Sequence, residues 1–217
     1  MWKIIKRKAN ILIQIESNDA ENVTKIVKIC EKLDYDIIFV TLRSYNKYLR
    51  ILEKSEPVVL RKTIVKGTRN IPEDFDMVSA RAVNRFVLNK LIRAIEIDSI
   101  VVDVENRCEV PSKDQLKIIK EEGKAVEILL KIDKLLDIKY LRSLETFLNQ
   151  CVKCGVTFFL YVPVRDAYDV KCPYDVYSVV ELLCNADSRF IGELKVRQLQ
   201  FLSDLFYRRG LELRLLS

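Results

Sequence analysis

Seven β-branched runs of strand length recur along this chain, each separated from the next by residues that make a crossover possible, and that alternation restricts the fold more than any other feature. The runs are "NILIQIES", "YDIIFVTLR", "PVVLRKTIVKG", "DMVSARAV", "SIVVDVE", "AVEILLKI" and "VTFFLYVPV". The intervening stretches include "NVTKIVKICEKL", the short charged "NKYLRILEKS", "NRFVLNKLIRAIEI", "PSKDQLKIIKEE" and "KYLRSLETFLNQCVKC", whose apolar residues recur at helical spacing. A parallel strand reaches its parallel neighbour only through a crossover of a dozen or more residues, usually a helix, so the pattern predicts βα units and an α/β fold. The last forty or so residues depart from it. "PYDVYSVVELLC" and "SRFIGELKVRQLQFLSDLFYRRG" both read as helices, the second closed by Gly210, and no eighth long strand follows.

A (β/α)8 barrel typically takes about 250 residues. At 217 residues the chain suits a trimmed, TIM-like (β/α) barrel of about seven parallel strands with extra C-terminal helices, in one domain spanning 1–217. The rival is an open doubly wound sheet. That fold commonly binds a nucleotide at a glycine-rich first turn, whereas the first turn here, "IESNDAEN", has no glycine.

No run of eighteen uncharged apolar residues is present, so the sequence predicts no membrane span. The opening "MWKIIKRKANILIQIES" lacks a small-residue cleavage site and reads as an arm feeding a strand, which places the protein in the cytoplasm. The six cysteines are irregularly spaced, which argues against a disulfide framework. "CVKC" has the spacing of a metal or redox half-site, but no histidine or second such pair completes it. Recruiting Cys172 and Cys184 would give an oddly spaced four-thiolate site. The expectation is two half-buried cysteines, Cys151 and Cys154, at a helix end.

Histidine is absent altogether. Ser-His catalysis and histidine-held metals are excluded with it. A hydrolase would depend on carboxylates, lysine or cysteine, and no cofactor is called for. The net charge of +6, from 37 Lys and Arg against 31 Asp and Glu, leans toward polyanions.

In a βα barrel the carboxyl ends of the strands line a shared mouth. In strand order those ends carry Glu16; Arg43; Lys66; Arg81 and Arg85; Glu105 and Arg107; Lys131 and Lys134; and Arg165. A ring of cations opposes an acid/base or two-metal site and favours phosphate, to which arginine offers a bidentate fork and lysine a point charge. The bland alternative pairs these cations with Asp74, Asp76, Asp103 and Asp133. Tyr45, Tyr48, Tyr168, Tyr174 and Tyr177 lie near the basic positions, where a ring can stack on an unpaired base. Arg208, Arg209 and Arg214, in "LFYRRGLELR", suit a helix C-terminus as well as a ligand.

The segment "FFLYVPVRDAYDVKCPYDVYSVVELL" combines a seventh strand with a basic residue, a spacer, Pro, a spacer and Asp that open a helix. Proline fits the first helical turn, where an N–H would have no partner, and Asp175 complements the positive helix end. Lys171 and Arg165 then sit on a loop held at both ends. This block resembles the TIM-barrel protein subunit of ribonuclease P, the archaeal component 3 and its eukaryotic counterpart. "FDMVSARAVNRFVLNKLIRAIEIDSIVV" and "IIKEEGKAVEILLKI", with Glu127, are similar to further blocks of that family, so the likeness covers approximately residues 75–185. Val162, Pro163 and Val164 replace the family's small Ser/Ala turn. Lys171 stands where an arginine is usual, keeping the charge without the fork.

The resemblance implies a non-catalytic protein subunit of ribonuclease P, whose RNA removes the 5′ leader of precursor tRNA. The implied partners are the ribonuclease P RNA and ribonuclease P protein component 2, two copies of each protein forming a heterotetramer, with precursor tRNA as the substrate of the whole. Arg43, Arg81, Arg85, Arg107, Arg165 and Lys171 are the residues expected to touch RNA or partner. Two other readings remain at this point. One is a metal-dependent phosphoesterase of the polymerase-and-histidinol-phosphatase type using Glu16, Asp103, Glu105 and Glu127; the other is a scaffold that binds protein alone.

Overall fold

The structure, a computed structural model, describes residues 4–5, 10–17, 19–41, 57–67, 75–209 and 214–215. Seven strands run parallel in sequential order: β1 (Ile11–Ile15), β2 (Ile37–Val40), β3 (Val58–Val65), β4 (Met77–Arg81), β5 (Ser99–Val102), β6 (Ala125–Leu129) and β7 (Phe158–Tyr161). Just beyond the ends of β1 and β7 the ring closes. Ile15 bridges Val164 in parallel fashion, and the Glu16 N–H donates to the Val164 carbonyl at 2.7 Å. A short parallel pairing of Ile4–Ile5 with Arg214–Leu215 lies apart from this sheet. The TIM-like α/β expectation of about seven parallel strands therefore holds.

The helices are α1 (Ala20–Lys32), α2 (Arg85–Arg93), α3 (Lys113–Glu121), α4 (Ile138–Cys154), α5 (Pro173–Cys184) and α6 (Ser188–Arg208). Their starts follow from polar caps. Asp19, Asn84, Ser112, Asp137 and Asp187 each accept a backbone N–H of the following turn, and Ser112 with Gln115 forms a reciprocal capping box. At the other end of α4, Gly155 takes the left-handed conformation (φ 64°) that a Cβ would disfavour. The sequence carried α2 on to Ile97, but the structure ends it at Arg93. The expected helices "NKYLRILEKS" and the stop at Gly210 lie outside the described residues.

Strand alternation divides the apolar residues between two sides. Val78, Ala80, Ile100, Val102, Val126 and Ile128 point outward and pack with Leu88, Leu91, Leu116, Ile119, Leu144 and Leu148 of the surrounding helices. A neighbouring cluster joins Ile38 and Val40 to Val23, Ile26 and Val27 of α1. Leu60, Met77, Val101, Ala125 and Phe159 face inward. Against them lie Leu199, Phe201, Leu202, Leu205 and Phe206 of α6, with the Phe159 and Phe201 rings edge to face at 5.8 Å.

That packing explains how seven strands suffice. α6, roughly 31 Å long at 1.5 Å per residue, lies across the amino ends of the strands and fills the place of the missing eighth βα unit. It also reaches both strands that flank the gap. Buried Gln198 donates to the Phe158 carbonyl at 2.7 Å, and Lys195 donates to the Asn10 side chain at 2.8 Å. At its C-terminal end Arg209 donates to the Phe75 carbonyl and to Asp98. Arg209 thus serves as a structural clamp.

Candidate nucleic-acid interface

The barrel interior decides what the carboxylates can do. Lys62 of β3 and Glu127 of β6 both sit on inward-facing positions and are fully buried, with Lys62 Nζ donating to Glu127 Oε2. Ser79 and Ser99 donate to Glu127 Oε1 at 2.6 and 2.5 Å. Burial pulls the Lys62 pKa below the usual lysine value, and Glu127 opposes the shift. Glu127 is thereby committed to holding the barrel together. Tyr161 of β7 donates to Glu16, which also lies 3.5 Å from Arg165. Among the described residues no three of His, Cys, Asp and Glu are grouped to hold a metal ion.

At the mouth, cations and acids interleave. Arg81, at the end of β4, donates to Glu109 at 2.8 Å and lies 3.5 Å from Asp103. The hydrogen bond that Arg81 donates to Glu109 raises the Arg81 pKa above its ordinary value. Lys131 bridges Asp103 at 2.8 Å and Glu105 at 2.6 Å, and Lys134 lies 3.8 Å from Glu105. Burial tends to lower the Lys131 pKa, but the hydrogen bonds to both acids outweigh it and the net shift is upward. Asp103 therefore does serve as a counter-ion, as one reading of the strand ends anticipated. Asp76 pairs instead with Arg61, and Asp74 lies outside the described residues. Glu109 was not singled out from sequence; it sits in the loop after β5, where only the fold brings it to β4.

The loop after β7 is rigid for reasons the sequence showed only in part. Cys172 stands just before α5 without a side-chain capping bond, and Pro173 and Asp175 lie in its first turn, as the motif predicts. The loop itself is pinned elsewhere. Asp169 accepts the Arg165 and Asp166 N–H groups, both at 3.0 Å, and Asp166 accepts from Tyr168. Asn22 of α1 donates to the Arg165 carbonyl at 2.7 Å, and Tyr35 donates to the Lys171 carbonyl at 2.7 Å. On this frame Arg165 is 76% exposed and Tyr168 is 91% exposed, while Lys171 is half-buried.

Arg85 and Arg107 are exposed and face a different place, a cleft on the outer wall between α2 and α4. Lys66 is exposed in the loop after β3. Arg43, Tyr45 and Tyr48 lie outside the described residues. Cys151 is buried and Cys154 half-buried at the end of α4, both as free thiols, and burial raises the Cys151 pKa.

The fold and the site define the class as a TIM-like α/β barrel with a salt-bridged interior and a mixed-charge mouth bordered by exposed arginines. No protein-family model and no curated protein matches the sequence. Among solved structures, the chain resembles one in the cryo-EM structure of archaeal ribonuclease P with mature tRNA, at TM-score 0.70 and 12% identity over 91% of each chain. It also resembles histidinol phosphate phosphatase from Lactococcus lactis in complex with zinc, L-histidinol and phosphate, at TM-score 0.50 and 10% identity over 83% of this chain and 95% of that one. At these identities the likeness is one of fold. Among the described residues no helix is long and apolar enough to cross a membrane.

Proposed function

We propose that this chain is a non-catalytic protein subunit of ribonuclease P, which supports the catalytic RNA in removing the 5′ leader of precursor tRNA. The observation that carries the reading is the likeness to a chain of archaeal ribonuclease P across 91% of both chains. The reading is also the one to which the resemblance noted in "FFLYVPVRDAYDVKCPYDVYSVVELL" and "FDMVSARAVNRFVLNKLIRAIEIDSIVV" points.

The chain's contribution is electrostatic. Packed RNA phosphates repel one another, and each arginine that meets a phosphate releases condensed counter-ions and lowers that repulsion. Arg43, Arg81, Arg85, Arg107, Arg165 and Lys171 contribute to RNA or partner contacts, in an order set by how far acids already occupy them. Arg85 and Arg107 come first and Arg165 next, with Tyr168 beside it to stack on an unpaired base. Arg81 comes after these because Glu109 and Asp103 hold it. The partner is ribonuclease P protein component 2, two copies of each protein forming a heterotetramer.

A phosphatase reading has the second fold likeness in its favour. The donors argue against it, since histidine is absent and Glu127 is held by Lys62, Ser79 and Ser99. The deciding experiment reconstitutes the chain with component 2 and ribonuclease P RNA and assays precursor-tRNA cleavage, with charge reversal at Arg81, Arg107 and Arg165. Stimulation by the native chain and its loss on reversal is the expected result. Cleavage and assembly that ignore the reversals at every salt concentration would refute the reading, and RNA-free phosphoester hydrolysis by the chain would favour the phosphatase.

A further inference from the structure

The outer cleft between α2 and α4 carries cations that no described acid pairs with. Its volume is about 810 Å³, and its rim carries three exposed arginines: Arg85 at the start of α2, Arg107 in the loop after β5, and Arg142 on α4. No acidic side chain is among the residues lining it. None of the three guanidiniums makes an ion pair or hydrogen bond with a described residue, in contrast to Arg81, Lys131 and Lys134 at the mouth.

Three cations around one hollow repel one another, and a concave low-dielectric wall focuses their field. The arrangement is relieved by an anion. The remaining polar lining is neutral: Asn89, Ser112, Gln115, Ser143, Thr146 and Gln150 supply amides and hydroxyls. Asn89 accepts from Gln115 through its oxygen, which leaves its NH2 group available as a donor. Arginines for phosphate beside amides and hydroxyls for sugar and base edges are the chemistry of a nucleic-acid strand. The volume lies in the range of pockets that take small ligands, about 300–1,000 Å³, which suits a few nucleotides of an unpaired strand.

We propose that this cleft binds the sugar-phosphate backbone of an unpaired RNA strand, with Arg85, Arg107 and Arg142 on consecutive phosphates. This deepens the ribonuclease P reading and rests on it for the choice of RNA. It adds Arg142, and it moves the principal RNA contact from the barrel mouth to the outer wall.

The test uses the full chain and a labelled oligouridylate of about twelve nucleotides, within the ~4–16 nucleotides of single-strand sites. Affinity is measured across a salt series for the native chain, for Arg85→Gln, Arg107→Gln and Arg142→Gln singly and together, and for Arg189→Gln as an exposed control outside the cleft. Each phosphate contact contributes about 0.7 to the single-strand salt slope. The triple variant should therefore lose about 2 from the slope and roughly tenfold or more in affinity, while the control is unchanged. Unchanged melting of the triple variant separates this loss from unfolding. Equal slopes for native and triple variant overturn the cleft, as does cleft-dependent binding of polyglutamate with none of oligouridylate. Reconstituted cleavage read in parallel separates the two claims. Oligouridylate binding through the cleft without stimulation of cleavage sinks the ribonuclease P reading alone; stimulation with a salt slope indifferent to the three arginines sinks the cleft alone.

Discussion

Lys62 and Glu127 form an ion pair in the middle of the barrel, with neither side chain reaching solvent. Removing one partner strands a buried charge, which typically costs about 3–5 kcal/mol, whereas replacing both with apolar residues of similar size is often neutral. Lys62→Met and Glu127→Gln should each destabilise the chain severely, and Lys62→Met with Glu127→Leu should recover most of the loss. Denaturant titration of the three variants checks this. A double variant no better than the worse single one would mean that Ser79 and Ser99 cannot tolerate losing their acceptor.

Glu109 restrains Arg81. A pair that reaches the surface is worth about 0.2–1 kcal/mol, so Glu109→Gln should leave Arg81 freer and tighten binding of ribonuclease P RNA by roughly two- to fivefold. Glu109 also accepts from Asp103 and Asn106, so the same variant should lose about 1–2 kcal/mol of stability. If affinity does not rise, Arg81 does not reach RNA.

Stability should fall in alkali through a buried thiol. Burial raises the Cys30 pKa from 9.0 to about 12. Between those values the unfolded chain has released the proton and the folded chain has kept it. The folded state then binds more protons, and stability declines as pH rises above 9.0. At one unit above the unfolded pKa the contribution is about 1.4 kcal/mol. Unfolding free energies from urea titrations should fall between pH 8 and pH 10 by about 1.4 kcal/mol less in Cys30→Ala than in the native chain. Parallel pH profiles would show that Cys30 ionises as readily folded as unfolded.

The clamp at the end of α6 is open to direct test. Asp98 is almost fully buried, accepts from Val78 at 2.7 Å and from Arg209 at 2.6 Å, and burial raises its pKa. Arg209→Ala leaves that acid without its cation and should cost about 3 kcal/mol. Amide exchange should quicken first at the start of β4 and in α6. A loss confined to RNA binding, with melting unchanged, would return Arg209 to the interface.

Strand number, order and helix starts were legible because each depends on neighbours in sequence: alternation in "SIVVDVE", a capping serine before "KDQL", proline ahead of "YDVYSVV". The inward face of β3, Val58, Leu60, Lys62 and Ile64, also carried a usable signal. A lysine inside an apolar alternation calls for a buried acid, and Glu127 stands in the same position on β6. The site was less legible. Strand-end counting placed every cation at one mouth, yet Arg85 and Arg107 belong to the outer wall and are joined there by Arg142 from a helix 35 or more residues away. Such a grouping depends on how α2 and α4 flank α3, which no local pattern encodes. The role of α6 escaped for the same reason, since its apolar face is ordinary and only the missing strand gives it a place to go.

The single rung between Ile15 and Val164 makes this ring a bracelet with one clasp. Below it, Gln198 and Lys195 of α6 reach the Phe158 carbonyl and the Asn10 side chain, and the apolar flank of α6 packs against the inner faces of the strands. A chain cut before Ser188 would bare two facing ribbons ready to recruit strands from other molecules. Loss of α6 should therefore be read in light scattering before it is read in any assay of RNA.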